Sequence, residues 1–242
     1  MNSEDHLISD YDFLAGATLL VDKPKHWTSF DVVNKIRYML RKRLGVKKIK
    51  VGHAGTLDPM ATGLLIICTG KATKTLNQLQ GLPKIYSGTM HFGGCTPSYD
   101  AETEVEERFP TDHITPELLE EVRQQFLGDI EQIPPMFSAI KVDGQPLYKK
   151  ARQGKKLEIE ARKVHIFSFE LTRIALPDVD FVVHCSKGTY IRSLAHDMGK
   201  AAGSGAYLTA LRRTSIGPYS IEAAWDLGEL IEALRIENRS ES

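Results

Sequence analysis

Asp58 is the residue whose setting best fits it for chemistry. It lies in Val51-Gly52-His53-Ala54-Gly55-Thr56-Leu57-Asp58-Pro59-Met60-Ala61-Thr62-Gly63, just ahead of the apolar run Leu64-Leu65-Ile66-Ile67-Cys68. No other acid occurs between Val32 and Tyr99. The glycines allow positive φ and close approach of a ligand to the backbone. Pro59 fixes its own φ and biases Asp58 toward an extended conformation. An isolated carboxylate held this stiffly is a candidate nucleophile or base. The competing reading is a plain turn, because Asp-Pro is common turn chemistry.

The surrounding segments read as elements able to hold that loop. Thr18-Leu19-Leu20-Val21 has the character of a short strand ending at Asp22-Lys23-Pro24. Thr28 and Asp31 form a capping-box pattern, with Asp in place of the usual Glu or Gln. Val32, Val33, Ile36, Met39, Leu40 and Leu44 then recur at helical spacing, and Gly45 supplies a stop. Ile85 to Gly94 alternates as a strand, with Tyr86, Met90 and Phe92 on one face. Thr115-Pro116-Glu117 opens a second helix, with Leu118, Leu119, Val122 and Phe126 facing inward and Gly128 closing it.

Asp143-Gly144 signals a turn. Lys163 to Ile174 reads as a strand whose apolar alternation changes phase near Ser168. Phe181, Val183 and Cys185 share one face of the next strand, which runs through a Gly-Thr turn into a helix bearing Ile191, Leu194, Ala195 and Met198. That places Tyr190 and Arg192 at a helix N-terminus, a usual position for holding an anion. Arg192 in a surface ion pair is the simpler alternative. Ala206 to Arg213 reads as a helix, and Trp225 to Leu234 as a short amphipathic one. Strands and helices mix irregularly, which predicts an α+β fold or a mixed sheet.

Charge is distributed unevenly. Lys35, Arg37, Arg41, Lys42, Arg43, Lys47, Lys48 and Lys50 precede Asp58 without an intervening acid, whereas acids cluster from Asp100 to Glu121. The totals are 31 basic and 31 acidic residues, so a globally basic nucleic-acid binder is excluded but a local basic face is not. A solvated helix face is the ordinary explanation of such a run. Beside an isolated acid it also fits a polyanionic substrate guided to that acid.

The 242 residues suffice for one large domain or two small ones with a sizeable core. Cys68, Cys95 and Cys185 are widely spaced and odd in number, and the eight histidines form no HxxxH, so neither a disulfide framework nor a metal site is indicated. The polar N-terminus has no signal-peptide character and no apolar run approaches a membrane span. A cytoplasmic protein is expected.

The motif around Asp58 resembles the active-site motif of the TruB-type tRNA pseudouridine synthases. Asp22-Lys23-Pro24, Tyr86-Ser87-Gly88, Ile133-Pro134-Pro135-Met136-Phe137-Ser138-Ala139, Cys185-Ser186-Lys187-Gly188-Thr189-Tyr190-Ile191-Arg192 and Leu211-Arg212-Arg213 resemble further blocks of that family. They occur in the family's order between about Gly16 and Leu234. The resemblance implies an α+β pseudouridine synthase fold: a central mixed, largely antiparallel sheet flanked by helices, with an RNA-binding cleft across it. It implies a catalytic domain over 17–235, between a polar lead-in at 1–16 and a polar tail at 236–242. Many relatives continue into a PUA-type RNA-binding domain, for which this sequence has no room.

The implied reaction converts uridine-55 in the T loop of tRNA to pseudouridine: the base detaches at N1 and rejoins through C5, with no cofactor and no metal. Asp58 matches the catalytic aspartate, a nucleophile, and Arg192 the arginine paired with it. Attack at ribose C1′, addition to C6 and a glycal route all remain open. Tyr86 matches the tyrosine stacked on the flipped base and a candidate for proton transfer at C5. Tyr190 and Leu211 match residues lining the uracil pocket. His53 matches a histidine associated with base extrusion, and Lys23 a lysine packed near the motif. The partner implied is the tRNA T arm, with no membrane or protein partner required and nothing calling for more than a monomer.

The loop Gly94 to Thr103 departs from the family pattern at Pro97 and Thr103, which puts its RNA contacts in question. A non-catalytic tRNA-binding or folding module would use the same basic face without needing Asp58. A P-loop hydrolase, hinted at by Thr69-Gly70-Lys71-Ala72-Thr73, fails because Leu65 and Ala72 replace a required glycine and hydroxyl.

Overall fold

A computed structural model describes residues 8–138, 141–142, 145–147 and 159–236. The chain forms two units, one from residues 1–84 and 212–242 and the other from 85–211.

The first unit is built on β3 (Thr62–Thr69), which follows β1 (Thr18–Lys23), α1 (Ser29–Arg43) and β2 (Val51–Ala54) and leads to α2 (Leu76–Gln80). β1 runs antiparallel along β3 from Thr18↔Cys68 to Lys23↔Gly63. β2 also pairs antiparallel with β3, from Val51↔Thr69 to Ala54↔Ile66. Because β3 is covered on both faces, its apolar run is continuous rather than alternating. Leu65 and Ile67 enter a cluster with Val32, Val33, Ile36 and Leu40 of α1, whereas Leu64, Ile66 and Cys68 join Ala54, Leu79 and Ile216.

The capping box at Thr28 and Asp31 starts α1 as expected. The stretch expected as a loose lead-in contributes buried Ile8 and Phe13 to the core. Two of the eight cations expected on one basic face serve the fold instead: Arg37 donates to the Val51 carbonyl and Arg43 to the Ala233 carbonyl.

The second unit takes in β4 (Lys84–Phe92) from Ile85 onward, the short strands β5 (Gly94–Cys95) and β6 (Glu107–Arg108), and α3 (Pro116–Gln124). β7 (Gly128–Gln132), the two-residue strands β8 (Lys141–Val142) and β9 (Gln145–Pro146), β10 (Arg162–Ala175), β11 (Asp178–Cys185) and α4 (Ile191–Ala201) follow. Asp143 and Gly144, where a turn is expected, lie outside the described residues. β10 pairs antiparallel with both β7 and β11. Its ladder with β11 shifts register between Ile166 and Ser168 and again between Leu171 and Arg173, which accounts for the phase change near Ser168. Of the apolar residues expected inward on α3, Leu119 and Val122 are buried, whereas Leu118 and Phe126 are only partly so.

β12 (Ala206–Ile216) overturns the helix expected over Ala206 to Arg213. Ala, Leu and Arg favour helix in isolation, but pairing partners decide strand formation. Its residues 206–211 belong to the second unit, in which the strand order is β12-β4-β11-β10-β7. Arg212 and Arg213 return to the first unit, pairing parallel with Thr62 and Gly63. β13 (Tyr219–Ser220) pairs antiparallel with the end of β12, and β14 (Trp225–Asp226) pairs parallel with β1. α5 (Leu227–Ile236) then buries Leu227, Leu230, Ile231 and Leu234 against the α1 cluster. The ladders are thus mixed and mostly antiparallel, as expected for the α+β class. No helix among the described residues is long and apolar enough to cross a membrane.

Gly88 shows how closely the second unit is built. A Cβ there would lie 2.6 Å from the Ala210 carbonyl oxygen and 2.8 Å from the Phe181 ring. Alanine gains about 0.5–1 kcal/mol in strand conformation, but overpacking costs about 1–3 kcal/mol. Gly88→Ala should therefore lower stability by about 1–2 kcal/mol, read as a lower urea midpoint with an unchanged m-value.

Candidate active site

Asp58 lies on the loop between β2 and β3, partly buried, and this loop is tied down at several main-chain positions. The Ser29 hydroxyl at the start of α1 accepts from the Leu57 N–H at 2.8 Å, and it lies 3.1 Å from the Leu57 carbonyl, to which it can donate. The His26 N–H donates to the Pro59 carbonyl at 2.7 Å, and the Ala61 N–H closes a turn onto the Asp58 carbonyl at 3.1 Å.

Arg213 ties the two ends together. Its guanidinium is 1% exposed and donates from Nε to the Leu64 carbonyl (2.8 Å) and from Nη2 to the Gly55 carbonyl (3.1 Å). Gly63 has φ +105°, and a Cβ there would overlap the Arg213 backbone. Glycine is thus required at 63 on both conformational and steric grounds. Sequence reasoning found Arg213 only as part of a family block. Its clamp depends on the register of β12 against β3, for which no local signal exists.

Lys23 ends β1 fully buried, donating from Nζ to the carbonyls of Pro24 (2.9 Å) and Trp27 (2.7 Å). Burial pushes its pKa down to about 8; the Asp58 carboxylate opposes that shift and the Arg213 charge adds to it. Lys23 and Asp58 therefore interact electrostatically within this unit. His53 on β2 is partly buried, and burial lowers its pKa, with the Gly55 backbone opposing and Arg213 assisting. Burial thus favours its neutral form. Arg212 pairs with Asp22 at 2.6 Å.

The other expected site residues belong to the second unit. Tyr86 points inward on β4, 8% exposed. Tyr190 is the N-cap residue of α4, and Gln132 at the end of β7 fixes it. The Gln132 side chain accepts from the Tyr190 N–H (2.9 Å) and donates to its carbonyl (3.0 Å). Nothing in the sequence signals this contact, which spans 58 positions.

Arg192 is no surface residue. It is 3% exposed and donates to the carbonyls of Ser98 (2.9 Å) and Phe137 (2.8 Å), with Nε 3.7 Å from the Asp100 carboxylate. Asp100 accepts from the Ser98 hydroxyl (2.6 Å) and the Glu102 N–H (3.0 Å). Thr103, one of the two departures from the family pattern, accepts from the Ser98 N–H at 3.1 Å and so belongs to this network. Leu211 is partly buried near the end of this unit's share of β12. Among the described residues, no group of three or more His, Cys, Asp or Glu side chains is arranged to hold a metal.

The first unit thus presents a carboxylate on a restrained loop with a buried ammonium interacting with it. The second presents an inward tyrosine, a fixed helix N-terminus and a buried guanidinium. A carboxylate held this way suits attack in one fixed direction. Burial of Lys23 also sets a pH dependence. Between about pH 8 and 10.5 the unfolded chain binds a proton that the folded chain does not, so stability should rise with pH across that window. Urea midpoints should therefore climb from pH 8 to 10.5 more steeply for wild type than for Lys23→Met, and parallel profiles would refute the assignment.

Comparison with known proteins follows the same lines. A model described as TruB family pseudouridylate synthase (N terminal domain) matches residues 41–191, and one for the tRNA pseudouridylate synthase B C-terminal domain matches 192–242. A protein named tRNA pseudouridine synthase B from Flavobacterium johnsoniae is 57% identical over 93% of this chain and 98% of its own length. One of the same name from Phocaeicola vulgatus is 55% identical over 87% of this chain and 90% of its own. Among solved structures, a Cbf5-Nop10-Gar1 complex contains a chain 31% identical to this one with a TM-score of 0.69. That match covers 95% of this chain but 57% of the other. An H/ACA RNP bound to a substrate RNA containing 2'-deoxyuridine gives 29% identity and a TM-score of 0.66.

Proposed function

We propose that this chain, which belongs to the TruB family of pseudouridylate synthases, isomerises uridine-55 in the T loop of tRNA to pseudouridine. The observation that carries this reading is Asp58, placed by a restrained loop within a chain 57% identical to a tRNA pseudouridine synthase B over almost the whole of both.

Asp58 acts as the nucleophile. The bond from ribose C1′ to N1 of uracil breaks, the base turns, and a C1′–C5 bond forms; C5 gives up its proton and N1 takes one up, so no atom is gained or lost. The target base first leaves its stack, at a cost of a few kcal/mol. His53 takes the vacated position, and Tyr86 receives the base on its ring, a contact contributing about 1–3 kcal/mol. Tyr86 also serves the proton transfer at C5. Tyr190 and Leu211 line the uracil pocket, Arg192 pairs with the ionised aspartate, and Lys23 supports the motif from within the fold. Isomerisation consumes no redox equivalent and no co-substrate, so these side chains suffice without a cofactor.

The catalytic domain spans 17–235, with Ile8 and Phe13 of the preceding stretch packed into its core. The enzyme works as a monomer in the cytoplasm with tRNA as its partner, unlike the Cbf5 neighbours, which are found in complexes with other proteins. A tRNA-binding module without catalysis is the alternative, and Asp58 separates the two. With an unmodified tRNA transcript, wild type should form pseudouridine at position 55 and release tritium from [5-³H]uridine. Asp58→Asn should reduce that rate by more than about 10³-fold while tRNA affinity stays within about threefold. Tritium release by the variant at the wild-type rate sinks the catalytic assignment.

A further inference from the structure

The exposed side of α1 carries features that a solvated helix face does not require. Phe30 is 60% and Tyr38 58% exposed, and with Asn34 and Lys42 they follow one another every four residues along the helix. Residues at that spacing form one stripe. Phe30 and Tyr38 stand about two turns apart in it, each presenting an aromatic ring to solvent.

Two hollows border the stripe. One, of about 250 Å³, lies where α1 meets α5 and is lined by Lys35, Tyr38, Lys42, Arg43 and Arg235, among others. The second, of about 480 Å³, is lined by His26, Trp27, Asp31, Asn34 and Lys35, so that Lys35 borders both. Asp31 is the acid in the second hollow, and its carboxylate is engaged by the Thr28 N–H and hydroxyl. Arg235 is paired with Glu232, and Arg43 with the Ala233 carbonyl, which leaves Lys35 and Lys42 as the cations best placed to meet an anion. The surface begins beside the catalytic loop, because the His26 N–H holds the Pro59 carbonyl one residue past Asp58. From Ser29 to Lys42 it extends about 20 Å along the helix.

We propose that this stripe is a second RNA-contact surface. It takes the sugar–phosphate backbone of the strand continuing from the target nucleotide, with Lys35 and Lys42 on phosphates and Tyr38 under a base or sugar. The proposal rests on the RNA-modifying reading of the Asp58 loop and adds a contact beyond the flipped base. Cations interleaved with aromatic faces suit RNA, since phosphates answer the first and bases the second. An acidic protein surface would match the lysines but not the stacking stripe.

The test compares wild type with Lys35→Ala/Lys42→Ala, Lys35→Arg/Lys42→Arg, Tyr38→Ala and Tyr38→Phe, using an unmodified tRNA transcript and filter binding across a salt series. Loss of two phosphate contacts should reduce the slope of log Kd against log salt by about 1.4–1.8, and the arginine pair should restore it. Tyr38→Ala should weaken binding about tenfold, and Tyr38→Phe should not. Tyr38 and Lys42 are exposed and Lys35 partly so, and thermal midpoints should stay near wild type. An unchanged slope and affinity in the alanine pair overturn the proposal and return the stripe to solvent or to a protein partner. If wild type forms no pseudouridine but the slope still falls, the reading of the Asp58 loop fails and the RNA surface stands.

Discussion

Arg213 carries its charge into a site that is 1% exposed, where an unmatched guanidinium would cost several kcal/mol. Two carbonyl oxygens make that position tenable, that of Gly55 at the start of the loop that bears Asp58 and that of Leu64 on the strand that follows it. The dependence is mutual. Without the carbonyls the guanidinium has poor solvation, and without the guanidinium the link from Gly55 across to Leu64 is lost. Gly63 belongs to the same arrangement, since any larger residue would force the β12 backbone away. The direction of the Asp58 carboxylate thus follows from strand register rather than from the motif alone.

The second unit uses the same physical device with different residues. Arg192 is almost as deeply buried, and it holds the carbonyls of Ser98 and Phe137 while facing Asp100. Asp100 in turn organises the segment from Thr96 to Thr103 through the Ser98 hydroxyl and the Glu102 N–H. In both units a long cationic side chain takes the place of a regular ladder where the backbone leaves secondary structure. Loops ordered in this way keep reactive groups preorganised, and preorganisation is where enzymes gain most.

What could be read from the sequence was local. The capping box at Thr28, the alternation of Tyr86, Met90 and Phe92, the phase change near Ser168 and the inward face of α4 each lie within a few residues and hold in the structure. The isolated acid at 58 and the family blocks around it were equally visible. Long-range contacts were not. Ala206 to Arg213 has helix-forming composition and became a strand because neighbouring strands were available. Gln132 reaches Tyr190, and Arg213 reaches Gly55, across separations that no periodicity encodes. The basic run before Asp58 looked uniform, yet Arg37 and Arg43 turn inward to main-chain carbonyls.

The bonds that hold the Asp58 loop have a bearing on how such a chain can drift. Arg213, Ser29 and His26 all grip main-chain atoms of the loop, which every residue type possesses apart from the N–H that proline lacks. The grip is therefore indifferent to the side chains of Thr56 and Met60. Those positions can change their side chains while the carboxylate between them keeps its bearing. Side-chain variation and fixed chemistry can then occupy adjacent residues without interfering, within a stretch only a few amino acids long.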